Sequence, residues 1–131
     1  MVIDVVAALL EKDGKYLIAR RNYGNETSVN KFEFPGGKVE KGEDILHAIE
    51  RELDEEMSIR VKGIKEVMNY VHEIPDRTIN LRLILCEYIS GDIILKDHSE
   101  YAFVDGSNIL NYPLCPGDKH IAEELINKII I

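Results

Sequence analysis

The chain has 131 residues, 45% of them hydrophobic and 31% charged, with a net charge of −8 at pH 7. That size and balance fit one globular domain over residues 1–131, with a core that needs no disulfide or metal staple. A pI near 5.0 and the lack of a basic run argue against a nucleic-acid polymer as partner. A small phosphorylated ligand remains open, provided divalent cations stand between the like charges.

"VIDVVAALL" (2–10) and "KYLIARR" (15–21) read as two strands joined by "EKDG", with Gly14 closing the hairpin. Asp4 interrupts the first apolar run and no basic leader precedes it, so neither a signal peptide nor a membrane span is expected. Residues 22–30, "NYGNETSVN", read as a polar surface loop. "KFEF" is a short strand ending at Pro35, and Gly36-Gly37 marks a sharp bend where backbone can approach closely. A helical pattern runs from Asp44 to Met57. "IKEVMNYVHEI" (64–74) and "TINLRLILCEY" (78–88) follow as long strands joined at "PDR", with Ile79, Leu81, Leu83 and Leu85 on one face of the second. "EYAFVD" (100–105) is a further short strand. The last helix, expected to begin near His120, carries Ile121, Leu125 and Ile129 at helical spacing. Cys86, inside an apolar run, reads as a buried thiol. With Cys115 the only other cysteine and no C-x-x-C spacing, neither a disulfide framework nor a zinc site is indicated, and a reducing cytoplasm is the expected setting. Mixed strands with one mid-chain and one terminal helix predict an α/β fold, a mixed sheet covered on both sides.

The helix at 44–57 raises the functional question. On a wheel at about 100° per residue, Ile45, Leu46, Ile49, Leu53 and Met57 form the stripe that faces the core. Glu52 and Glu56 fall at its edge, with Glu55 next to Glu52, while His47, Glu50, Arg51 and Asp54 take the outer side. Carboxylates gathered at the border of a buried face repel one another and resist desolvation. A hard divalent cation, Mg²⁺ or Mn²⁺, is their natural relief and is commonly shared with substrate phosphates. A glycine carbonyl from Gly36 or Gly37 is a further candidate ligand, and the fork of Arg51 can fix a carboxylate in one rotamer. A solvated acidic face is the bland alternative.

Gly37, then five residues, Glu43, then seven residues and "RELDEEMSI" (51–59), resembles the Nudix box, G-x5-E-x7-R-E-U-x-E-E-x-G-U with U apolar. The box spans residues 37–59 here, and Ser58 is the one departure, standing where the pattern has glycine at the helix C-cap. "NKFEFPGGKVEKGE" and "IPDRTINL" resemble MutT-type members of that family, and the tail through "YPLCPGD" resembles its CTP pyrophosphohydrolase branch. The resemblance implies an α/β/α sandwich, its mixed sheet lying between the box helix and the C-terminal helix. It also implies a cytoplasmic enzyme, monomer or homodimer, acting on a nucleotide substrate and on no nucleic-acid polymer or membrane. The implied reaction is Mg²⁺-dependent hydrolysis of a nucleoside triphosphate, such as a cytidine nucleotide or 8-oxo-dGTP, to the monophosphate and pyrophosphate. ADP-sugars, NADH, coenzyme A or dinucleoside polyphosphates are alternative substrates, and a non-catalytic binding module is the alternative of another class.

By motif position, Glu52 and Glu56 are metal ligands, Glu55 binds a second ion or takes the proton of water, and Gly37 or Gly36 lends a carbonyl. Arg51 orients Glu52, and Glu43 supports the loop. Asp97 is the expected late carboxylate, with Glu100 its alternate. Arg21 and Lys38 are candidates for phosphate, and Phe34 and Gly36 belong with them at the substrate. Asp118 either reads the base or caps the last helix. Pro75 reads as part of the hairpin turn.

Overall fold

The computed structural model describes every residue except Asn25, Thr27 and Ile129. Ile129, expected on the inner face of the last helix, and two residues of the 22–30 loop therefore lie outside the described residues.

Val2–Lys12 form β1 and Lys15–Arg21 form β2. Asp13 and Gly14, at φ 54° and 77°, supply the two left-handed positions that a tight hairpin turn requires. Only Glu11–Tyr16 and Lys12–Lys15 pair across that turn. Beyond them each strand takes other partners. Residues 2–10 of β1 run parallel to 78–86, and residues 16–21 of β2 run antiparallel to the segment 98–104. Phe32–Glu33 is β3, beside β2. Gly36–Lys38 is β4, antiparallel to residues 5–7 of β1, so the glycine pair expected as a sharp bend is extended strand. The close approach does hold, because a Cβ on Gly36 would collide with the Val6 carbonyl.

Ile45–Met57 is α1. Arg60–Ile74 (β5) and Arg77–Ser90 (β6) pair antiparallel, interrupted by bulges. β5 begins at Arg60 rather than Ile64. Its first residues alternate Arg60 and Lys62 with Val61 and Gly63, a weak strand pattern that pairing with β6 overrides. His98–Val104 is β7, and one unanticipated 3₁₀ turn occupies Ile109–Asn111. Pro116–Asn127 is α2, starting ahead of His120 because proline is pre-set for a first helical position.

The seven strands form one mixed sheet in the order β3-β2-β1-β6-β5, with β4 beside β1 and β7 beside β2. Side chains alternate across it. Val6, Ala8 and Leu10 pack with Ala48, Ile49, Leu53 and Met57 of α1, whereas Ala7 and Leu9 pack with Ile121, Ala122 and Leu125 of α2. Leu17 and Ala19 likewise join the α1 layer and Ile18 the α2 layer. An unbroken apolar run is what a strand covered on both faces requires, and the expected sandwich is observed. Leu81, Leu83 and Leu85 share the α2 side. Cys86 is buried in the α1 layer, which pushes its thiol up to about 12. Among the described residues, no helix is long and apolar enough to cross a membrane.

Candidate active site

Asp44 starts α1 by accepting from the backbone N–H groups of Leu46 (3.1 Å) and His47 (3.4 Å). At the other end Ser58 adopts the left-handed conformation, φ 59°, and its N–H donates to the Asp54 carbonyl. Between these caps the helix presents Arg51, Glu52, Glu55 and Glu56 to the edge where β4 passes. Arg51 organises the group. Its Nε and Nη2 donate to the two Glu43 oxygens at 2.7 and 2.9 Å, a bidentate pair. Nη1 donates to Glu52 (3.1 Å) and Glu55 (3.2 Å), and Nη2 to the Lys38 carbonyl (3.1 Å). The hydrogen bonds from Arg51 and from the Glu40 backbone hold the Glu43 carboxyl down to about 2.

Glu52 packs so tightly on Gly37 that a Cβ there would collide with its carboxylate. Burial raises the Glu52 pKa, opposed by Arg51. Glu56 is more extreme. Its Oε2 is buried with no hydrogen-bond partner among the described residues, and burial, followed by the charges of Glu52, Glu33, Asp97 and Glu55, pushes its pKa up to about 8. Glu55 is mostly exposed. After β6 the chain turns at Gly91 and returns along α1, where the N–H groups of Ile94 and Lys96 donate to the carbonyls of Met57 and Glu56. That return sets Asp97 beside Glu56. Glu100, its alternate, is paired with Arg20 at 2.8 Å instead. An all-oxygen donor set, an orphaned buried carboxylate oxygen and a carboxylate seated against bare glycine backbone together fit a hard divalent cation.

Next to these groups is a cavity of about 190 Å³, and Arg21, Phe34, Gly36, Lys38 and Asp118 all line it. Gly37 lines it too and so joins the cavity to Glu52. Asp118 is not the cap of α2. That position belongs to Cys115, and Asp118 lies inside the first turn. Its Oδ1 accepts from the Phe34 N–H at 2.9 Å, and burial together with Glu33 pushes its carboxyl up to about 8. Arg21 does not stand free for phosphate. Its Nη1 lies 3.5 Å from Glu33 and its guanidinium sits over the Tyr23 ring. Lys38 is exposed at the cavity rim.

Glu33 is the centre that sequence reasoning missed. Its Oε2 accepts from the Tyr23 hydroxyl at 3.0 Å and lies 2.9 Å from Nε2 of His98. Ligand-type atoms of Glu33, Cys115 and Asp118 lie within 4.8 Å of one another. These partners come from four separate segments, so no local spacing announces them. The one signal was a carboxylate between two buried phenylalanines in "KFEF". A larger depression of about 620 Å³ lies elsewhere, lined by Leu9, Tyr16, Ile64, Leu85 and Tyr88 among others. It contains none of the box carboxylates, and hydrolytic chemistry has no evident place there.

The NUDIX domain model matches residues 2–125, and the chain belongs to the Nudix family. It is 34% identical over 122 residues to the CTP pyrophosphohydrolase of Escherichia coli (strain K12), covering 93% of this chain and 90% of that protein. It is 31% identical over 113 residues to the 8-oxo-dGTP diphosphatase of the same organism, covering 85% and 88%. The solution structure of the E. coli ORF135 protein matches with a TM-score of 0.86 at 32% identity, covering 96% of this chain and 89% of that one. The protein is a Nudix hydrolase acting on phosphoric anhydride bonds, in line with the class expected from the box.

Proposed function

We propose that the protein hydrolyses a cytidine or oxidised nucleoside triphosphate to the monophosphate and pyrophosphate, with Mg²⁺ and, less specifically, Mn²⁺. The observation that carries this reading is the cavity of about 190 Å³. It is too small for a whole nucleotide by the usual scale of ligand sites, yet it offers the polar groups Glu33 and Asp118 beside the apolar walls Phe34 and Leu81. Gly37, which lines it, also lies against the Glu52 carboxylate. A base in this cavity directs its phosphates toward Glu52 and Glu56.

In this reading Glu52, Glu56 and Asp97, with the Gly37 carbonyl, would hold the cation, which would supply neutralisation of phosphate charge and a more acidic water. Arg51 fixes Glu52 and Glu55 in single rotamers. Glu55, exposed beside them, takes the proton of the attacking water as its oxygen bonds to phosphorus and the bridging P–O bond breaks. Pyrophosphate and monophosphate leave. Lys38 at the rim faces the phosphates. Asp118 accepts from the exocyclic amino group of cytosine when ionised and donates to a base carbonyl when protonated.

The experiment is a panel of CTP, dCTP, dTTP, 8-oxo-dGTP, ADP-ribose, NADH and dinucleoside polyphosphates with Mg²⁺, with and without EDTA. A cytidine or oxidised triphosphate should give the highest kcat/KM, and EDTA should abolish turnover. Asp118→Ala should reduce the preference over dTTP by about tenfold while triphosphate hydrolysis persists. Greater activity on ADP-ribose or NADH, or an unchanged preference in Asp118→Ala, overturns the assignment.

A further inference from the structure

His98 is the one buried polar side chain among the described residues, 5% exposed, and the hydrolytic chemistry does not use it. Its Nε2 lies 2.9 Å from Oε2 of Glu33, and the Tyr23 ring meets it edge-on at 6.1 Å. Its Nδ1 is buried without a hydrogen-bond partner among the described residues. The two ring nitrogens are therefore unequal. A proton on Nδ1 would be a buried donor with nothing to donate to, at the cost of its full desolvation. A proton on Nε2 is used, and leaves Nδ1 only an empty acceptor.

The neighbours of Glu33 sharpen the point. Oε2 takes Tyr23 and His98, and Oε1 takes the long 3.5 Å contact with Arg21. Tyr23 and Arg21 come from the end of β2 and the exposed loop after it, where Tyr23 is 40% exposed. His98 opens β7, pairs with Arg21 across the sheet and is held in the interior. Of the three partners it is the buried one. A side chain locked by packing is what keeps a recognition carboxylate in a single geometry.

We propose that His98 is a positioning residue for substrate discrimination: its Nε2–H fixes Glu33 so that the carboxylate faces the base-sized cavity beside Asp118. It touches no substrate itself and acts through Glu33. The inference rests on the reading of that cavity as the base site, so its test separates the two.

Two variants and one spectroscopic measurement decide it. His98→Leu keeps a buried side chain and removes the donor, whereas His98→Gln keeps a donor near the Nε2 position. His98→Leu should lower the ratio of kcat/KM for CTP over dTTP by about fivefold or more, through the KM for CTP, with kcat held within about threefold. His98→Gln should restore the ratio to within about twofold of wild type. A ratio unchanged in His98→Leu, or equally lost in His98→Gln, shows packing alone and overturns the proposal. Long-range ¹H–¹⁵N correlation on the unaltered protein should find the proton on Nε2, and a bare Nε2 overturns the assignment even if neither variant folds. If the wild-type protein does not discriminate between bases at all, the base-site reading fails, and the Nε2 proton alone decides whether His98 holds Glu33.

Discussion

Glu56 is half-buried beside four other carboxylates, and its pKa of about 8 against an ordinary 4.5 makes stability depend on pH with a defined sign. Below about pH 4.5 the group is protonated in both folded and unfolded chains and costs nothing. Between 4.5 and 8 the unfolded chain ionises first, so stability falls as pH rises, and above 8 the whole penalty is present. Glu56→Gln removes that penalty. Asp118 shifts in the same direction, but it is common to both proteins and cancels in the comparison. In EDTA, the melting temperature of Glu56→Gln should match wild type near pH 4.5 and exceed it by several degrees at pH 8.5. That corresponds to roughly 1–2 kcal/mol once solvent screening is allowed for. Adding Mg²⁺ should shrink the gap, because only the carboxylate is relieved by a cation. A gap that does not vary with pH would show that Glu56 is not desolvated. At this scale the wheel was a fair guide, placing Glu52 and Glu56 at the edge of the buried stripe. It failed for Glu50, assigned to the outer side, because it could not know that β5 passes there and donates the Gly63 N–H at 3.0 Å.

At the scale of the element, α1 is a helix with a good start and a strained end. Asp44 satisfies two of the open N–H groups, whereas Ser58 is held left-handed at φ 59° by the hydrogen bond to Asp54 and the tight return of the chain at Gly91. A non-glycine residue in that region costs about 1 kcal/mol. Ser58→Gly should therefore raise stability by about 0.5–1 kcal/mol in urea denaturation, the loss of unfolded-state order offsetting part of the gain. Turnover should be unaltered, since Glu52 lies more than a turn earlier and Glu56, in the last turn, keeps its place while the cap backbone stays left-handed. No change or a loss of stability would mean that the serine side chain makes a compensating contact. The same comparison shows why the two helix starts differed in legibility. Asp44 is a local signal and was readable. Asp118 looked like a cap by local rules, but Pro116 had already begun α2 and Phe34, far away in sequence, took the carboxylate.

For the molecule as a whole, β1 and β2 supply both layers of the core, alternate residues facing α1 and α2. Neither layer can lose its packing without disturbing the shared sheet. Leu53→Ala in α1 and Leu125→Ala in α2 remove fully buried side chains and should each cost about 2–5 kcal/mol. Each variant should still unfold in one transition, coincident by circular dichroism and by tyrosine fluorescence, since the chain has no tryptophan. Separate transitions in either variant would show that the layers are independent. Sequence alone settled the box spacing, the polarity of each face and most element positions, because these follow from local chemistry and from periods of 2 and 3.6 residues. A period says which way a side chain points but not which strand lies next to it. The parallel pairing of β1 with β6 joins residues 2–10 to 78–86, and the meeting of Tyr23, Glu33, His98 and Asp118 joins four segments. Both were decided only by tertiary structure, because contacts between distant residues are selected by global packing after the long loops between them have closed.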